Sequence, residues 1–244
     1  MKIVCIVQAR MGSERLPGKV MKKILGQPMI TYTLDRIRKS KYVNEVVLAT
    51  STECSEEPMV AYLEENQYNI FRGNEKNVLE RYVEASKAYN ADIIIRVTGD
   101  CPLIDVILLD QVIEYYLTHS YDYVALNVPN TMIRGFDVEI FSRENLNKVY
   151  EKVNKIQGDS PYKEHVTLYM YRHEEEFSVR KIDGTTLYQK PYRLCVDTEE
   201  DFKVVEHIYE YFQDKYVTAE KVITYLDTHP EIVQINKEIN QKHV

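Results

Sequence analysis

Arg10, Arg15 and Lys19 fall within one short segment, Gln8-Ala9-Arg10-Met11-Gly12-Ser13-Glu14-Arg15-Leu16-Pro17-Gly18-Lys19. Two guanidinium groups can fork onto phosphate oxygens while an ammonium supplies a point charge. Backbone amides around Gly12 and Ser13 can form a nest for an anion. The other groups suited to chemistry are two distant carboxylates, Asp100 in Thr98-Gly99-Asp100-Cys101-Pro102 and Asp197 in Val196-Asp197-Thr198. Two carboxylates, phosphate oxygens and water make the all-oxygen shell that Mg²⁺ prefers, and the ion offsets charge developing on phosphate. Each feature has a plainer reading: a solvated basic loop, a turn aspartate at Asp100, and a helix cap at Asp197.

Such groups need a scaffold that brings them together. Ile3–Val7, Val46–Ala49, Ile93–Val97 and Tyr123–Leu126 are short, continuous, β-rich apolar runs, as strands buried on both faces of a parallel sheet require. Between them lie amphipathic segments of helical length. One opens at Pro28, with Ile30, Leu34 and Ile37 on one face and Arg36, Arg38 and Lys39 on the other; the rest cover about 56–65, 77–89 and 106–117. Alternating strands and helices predict an α/β doubly wound sheet. Open sheets of this kind bind ligands at the carboxyl ends of their strands, where the Arg10–Lys19 loop leaves the first strand. The loop has neither the dinucleotide nor the Walker glycine pattern.

Past Thr131 the rhythm changes. Phe136–Phe141 alternates as a half-exposed strand, Ser142 reads as a helix N-cap, and 177–182 and 193–196 read as further strands. Helices at about 199–212 and 218–226 close the chain. One domain over 1–244, with an α+β insertion at about 130–190, is expected. Asp100 follows the strand at 93–97 and Asp197 the strand at 193–196, so parallel neighbours would bring the two carboxylates together.

Composition sets limits. With 44% hydrophobic and 28% charged residues, the 244-residue chain has an ordinary globular balance. Its net charge of −7 excludes a whole-chain footprint for nucleic acid. Residues 1–41 nevertheless carry +8 and the remainder −15, a distribution suited to a compact anionic ligand. Cys5, Cys54, Cys101 and Cys195 show no metal-ligand spacing, and are read as reduced thiols of a cytoplasmic protein. No apolar run approaches a membrane span or a signal-peptide core.

The block Gln8–Lys19, followed by Gly26-Gln27-Pro28-Met29-Ile30, resembles the signature of the cytidylyltransferases that activate acidic sugars, the KDO and sialic-acid synthetases. The nearest likeness is to the spore coat polysaccharide (SpsF-like) branch. It continues through Asn77–Tyr82, Thr98–Ile104, Gly135–Glu139, Glu164–Val166 and Val196–Asp201. The resemblance implies a Rossmann-like nucleotidyltransferase sheet, transfer of CMP from CTP to an acidic sugar or other anionic acceptor, and a homodimer with 136–141 as candidate contact. It assigns nucleotide contacts to Gln8, Ala9, Arg10, Gly12, Ser13, Arg15, Lys19 and Gly99, with catalytic roles for Arg15, Lys19 and Asp100.

The same resemblance makes Asp100 and Asp197 the ligands of Mg²⁺. Cys195 stands where sialic-acid members carry a further aspartate. Arg72, Asn77 and Arg81 are expected at the base or ribose, although a surface ion pair of Arg81 with Glu80 or Glu84 is the plainer reading. His165, Tyr169 and Arg172 at i, i+4 and i+7 would share one helix face, and with Arg134 they are the acceptor candidates. A metal-dependent glycosyltransferase and a catalytically silent nucleotide-binding protein are the rival classes. The aspartate pair, 97 residues apart, is unlike the single Asp-x-Asp of the former, and the presence of Lys19, Asp100 and Asp197 disfavours the latter.

Overall fold

Residues 3–7 are apolar without a break because both sides of the strand they form are covered. Val4 and Ile6 pack into one buried cluster, and Ile3, Cys5 and Val7 into another on the opposite face. The computed structural model describes residues 1–158 and 160–240. In chain order the first half runs β1 (Ile3–Gln8), β2 (Lys23–Ile24), β3 (Gln27–Pro28), α1 (Met29–Ile37), β4 (Glu45–Ser51), α2 (Glu57–Glu65), β5 (Asn69–Gly73), α3 (Val78–Ala88), β6 (Ile93–Thr98) and α4 (Val106–Thr118). The second half is β7 (Tyr123–Leu126), β8 (Glu139–Ser142), α5 (Arg143–Val153), α6 (Pro161–Glu164), α7 (Leu168–Arg172), β9 (Val179–Ile182), α8 (Glu199–Phe212), α9 (Ala219–Thr228) and α10 (Pro230–Gln234).

A seven-stranded sheet in the order β5-β4-β1-β6-β8-β7-β9 forms the centre. β1 pairs in parallel with β4 and β6, and β4 with β5, whereas β8 runs antiparallel between β6 and β7. The expected α/β sheet is present, mostly parallel, with α1, α2, α4, α8 and α9 contributing to one core face and α3, α5 and α7 to the other. The segment expected as an insertion supplies β8 and β9 to this same sheet.

Four local expectations are corrected. The strand near 136–141 covers Glu139–Ser142, and Phe136, Val138, Ile140 and Phe141 are all buried. It lies between two strands, so it offers no free edge for a second copy. Residues 193–196 form no strand; a single parallel bridge joins Arg134 to Arg193, and the Val196 amide donates to the Asp100 carbonyl at 2.8 Å. Arg36 is not on a solvent face: it is buried, and its guanidinium donates to the carbonyls of Ile104, Lys215 and Val217 at 2.7–2.8 Å. The helix through 165–172 is broken, with His165 closing α6 in a non-helical conformation before α7 begins at Leu168.

Gly99 brings the ends of β1 and β6 close together. Its amide donates to the Gln8 carbonyl at 2.8 Å, and a Cβ there would lie 2.8 Å from both Ala9 Cβ and Ile30 Cδ1. Gly99→Ala is expected to cost about 1–3 kcal/mol through overpacking, measured as a lowered urea midpoint with unchanged slope. A change below ~0.5 kcal/mol would show that the strand ends can part freely.

Candidate active site

The Arg10–Lys19 loop leaves β1 and is tied to the neighbouring crossover by a carboxylate that sequence reasoning missed. Glu56, 2% exposed, accepts the Met11 amide at 3.0 Å and the Thr50 hydroxyl at 2.9 Å. In sequence, Glu56 reads only as an acid beside a helix start; its position just beyond the carboxyl end of β4 was the available signal. The Met11 carbonyl then accepts the amides of Ser13 and Gly18, both at 2.9 Å. The Ser13 amide, expected to face an anion, is therefore engaged within the loop. Gly18 takes a left-handed conformation, φ 68°, which turns the chain into one turn of 3₁₀ helix at Lys19–Met21.

This turn delivers Lys19 into the protein. The residue is 8% exposed, and its ammonium donates to the Val196 carbonyl at 2.6 Å, Asp197 Oδ1 at 2.9 Å and Asp100 Oδ2 at 3.3 Å. The two carboxylates expected to meet do meet, on either side of a cation. Arg15 reaches Asp197 Oδ2 at 2.9 Å and Arg193 reaches the same oxygen at 2.6 Å. Burial works against charge on Asp197, but Lys19, Arg15 and Arg193 outweigh it and hold the carboxyl below its ordinary range. Burial likewise opposes charge on Lys19, and Asp100 and Asp197 reverse the effect, raising its pKa.

Asp197 is not the helix cap. Thr198 caps α8, its hydroxyl accepting the Asp201 amide while Asp201 accepts the Thr198 amide in return. Asp201 is fully buried and also accepts from the Asp197 amide at 3.0 Å, and from Arg193 Nε and Asn236 Nδ2 at 2.9 Å each. Arg193, Asp201 and Asn236 thus fix the segment that carries Asp197, and none of the three was singled out in the sequence. Cys101 and Cys195 approach Asp100 and Asp197 at 3.6 and 3.9 Å. Burial pushes both thiols well up, so they stay protonated beside the carboxylates.

Other candidate residues lie in separate surroundings. Arg10 is exposed, with no ion pair among the described residues. Gly12 is exposed as well, and Ala9 is buried, its amide bonded to the Ala49 carbonyl. Gln8 accepts from Arg96, which pairs with Glu139 at 2.9 Å, and Glu139 accepts from the Thr167 hydroxyl at 2.8 Å. Arg72 binds the carbonyls of Ser51 and Glu53 and pairs with Glu57 at 2.7 Å. Asn77 caps α3, accepting the Glu80 amide at 3.1 Å. Arg81 is buried rather than paired with Glu80 or Glu84 on the surface; it donates to the Asn74 carbonyl at 2.9 Å, and burial lowers its pKa.

The acceptor candidates do not share a helix face. His165 is half-buried beyond α6, where burial first, and then Arg96 and Arg172, keep its pKa below the ordinary value. Tyr169 is buried, stacked on His173, with its hydroxyl donating to Glu176 at 3.3 Å. Arg134 is half-buried on the segment bridged to Arg193.

Residues 4–233 match the family model described as cytidylyltransferase. The chain is 33% identical over 237 residues to the spore coat polysaccharide biosynthesis protein SpsF of Bacillus subtilis, covering 94% of this chain and 95% of that protein. It is 30% identical over 209 residues to the 3-deoxy-manno-octulosonate cytidylyltransferase of Geobacter metallireducens, covering 77% and 81% of the two chains. A cytidylyltransferase structure from Leptospira borgpetersenii superimposes over the whole of both chains with a TM-score of 0.88 at 31% identity. With Arg15, Lys19, Asp100 and Asp197 gathered at the ends of β1 and β6 on a fold shared along its length with such proteins, the chain belongs to the cytidylyltransferase family that includes the acidic-sugar enzymes.

Proposed function

We propose that the protein is a Mg²⁺-dependent cytidylyltransferase of the cytoplasm that transfers CMP from CTP to an acidic sugar, or a related anionic acceptor, in the synthesis of a surface polysaccharide. The observation that carries this reading is the convergence of two cations from the first loop with two carboxylates from distant segments around one point. An acceptor oxygen attacks the α-phosphorus of CTP, the bond from that phosphorus to the bridging oxygen of the β-phosphate breaks, and pyrophosphate leaves. An acceptor hydroxyl gives up its proton to solvent in forming the new phosphoester.

Asp100 Oδ2 and Asp197 Oδ1 both face the same point, now held by the Lys19 ammonium, and two hard oxygens converging on a cation suit Mg²⁺. Among the described residues no group of three His, Cys, Asp or Glu side chains could hold a metal alone, so phosphate oxygens and water would complete the shell. Bound there, Mg²⁺ supplies charge neutralisation on the phosphates. Arg15 and Lys19, both from the loop after β1, contribute positive charge beside the same carboxylates, and catalysis rests on position and electrostatics. Arg10, Gly12, Arg72 and Arg81 are assigned to the nucleotide, and His165 and Arg134 to the acceptor.

The test is a screen of acidic sugars and phosphorylated acceptors with CTP, UTP, ATP and GTP, scored by pyrophosphate release and by mass detection of the CMP product. Release is expected with CTP and Mg²⁺ and one class of acidic sugar. Transfer of sugar from a nucleotide sugar, or no release with any pair, would overturn the reading.

A further inference from the structure

The Asp197 carboxylate is divided between two tasks. Its Oδ2 is taken by Arg15 and Arg193, and Arg193 is in turn anchored by the fully buried Asp201. That leaves Oδ1 turned toward Asp100 Oδ2, and the Lys19 ammonium lies between these two oxygens at 2.9 and 3.3 Å. A third acceptor, the Val196 carbonyl at 2.6 Å, fixes the ammonium there. An ammonium with three acceptors within 3.3 Å, two of them short, and 8% residue exposure is a seated cation rather than a passing contact.

We propose that Lys19 is the resident cation of the Asp100–Asp197 pair in the nucleotide-free enzyme, competing with a divalent metal for the same two oxygens until a triphosphate draws its side chain away. The proposal rests on the metal-site reading above. Two carboxylates that share one ammonium repel each other once it leaves, unless another cation replaces it or one of them takes up a proton. Lys19 has a long flexible stem, and the loop that carries it also carries Arg15 and Arg10, so a triphosphate entering that loop offers the ammonium replacement oxygens. The ammonium and the metal then stop competing and act on the same phosphates. Metal and nucleotide binding are thereby coupled, each favouring the other by the same factor. The nucleotide-free enzyme is protected from retaining a metal without its substrate.

The experiment is titration of the whole protein with Mn²⁺, free ion being counted by its paramagnetic resonance, without nucleotide and with a non-hydrolysable CTP analogue. Wild type is expected to bind Mn²⁺ weakly alone. Lys19→Met should bind it about tenfold or more tightly without nucleotide, and should lose most of the coupling to the analogue. Equal or weaker nucleotide-free binding by Lys19→Met, with circular dichroism unchanged, overturns the proposal. Lys19→Gln, neutral and of similar length, provides the same comparison if the methionine variant does not fold. Asp100→Asn separates the two levels of inference. If it leaves Mn²⁺ binding to the analogue complex unchanged, the carboxylate pair is not the metal site; if it abolishes that binding while Lys19→Met gains nothing, only the exchange is wrong.

Discussion

Asp100→Ala is expected to reduce Mg²⁺-dependent pyrophosphate release by about 10²- to 10³-fold with little change in thermal stability. The two effects separate because of where Asp100 sits. Its side chain is 25% exposed, and its contacts are the Lys19 ammonium at 3.3 Å and the Cys101 thiol at 3.6 Å. Lys19 keeps the Val196 carbonyl and Asp197 when Asp100 is removed, so no buried charge is abandoned. The Asp100 carbonyl, which accepts from Val196, is unaffected by a change of side chain. A loss below ~1 kcal/mol in stability follows, as for partly exposed ion pairs. The rate effect has no such compensation, since one of two oxygens that face the proposed metal disappears. Asp100→Asn keeps the shape and removes the charge, so a similar loss there attributes the effect to electrostatics rather than packing. Turnover within threefold of wild type in a folded Asp100→Ala protein would remove Asp100 from the catalytic assignment.

The parts of this arrangement that were legible in sequence are those fixed by local rules. Continuous apolar runs located β1, β4, β6 and β7 because strands covered on both faces need apolar side chains at every position. Ser142 was recognisable as a cap because its hydroxyl accepts the Asn145 amide three residues on, an interaction wholly within the segment. Lys19, Asp100 and Asp197 stood out by type and by position after apolar runs. The unreadable parts depend on contacts between distant segments. Nothing near Arg36 announces the carbonyls of Ile104, Lys215 and Val217 that hold it inside. The 193–196 run has strand-like residues, but it is joined to the rest through isolated bonds to Arg134 and Asp100. The antiparallel insertion of β8 between β6 and β7 follows from long-range pairing, which the alternating strand-helix pattern upstream does not encode. At His165 the regular spacing to Tyr169 and Arg172 suggested one helix, yet the chain changes direction between two short ones.

Asp201→Ala is expected to be the more damaging substitution for the fold, costing about 3–5 kcal/mol, although Asp201 touches neither proposed metal nor nucleotide. The carboxylate is completely buried, and both oxygens are doubly occupied: Oδ1 by Arg193 and Asn236, Oδ2 by the amides of Asp197 and Thr198. Removing it leaves a guanidinium with 10% side-chain exposure short of one partner and exposes the start of α8 without half of its capping box. Arg193 keeps Asp197, so the cost lies in a buried ion pair broken on one side and in the Asp197 and Thr198 amides and Asn236 losing a buried acceptor, and the lost cap adds to it. Urea unfolding gives the measure, and a change below ~1 kcal/mol would mean that water reaches this corner and the burial argument fails. Asp201→Asn retains one acceptor and the side-chain volume, so it should lose less. Its behaviour also carries the argument back to the active site. Arg193, held through Asp201, is what keeps Asp197 Oδ2 occupied and Oδ1 turned toward Lys19. In folded Asp201→Asn protein, kcat should therefore fall more than the KM for CTP rises, because the nucleotide loop is intact while the carboxylate opposite it has lost its fixed orientation.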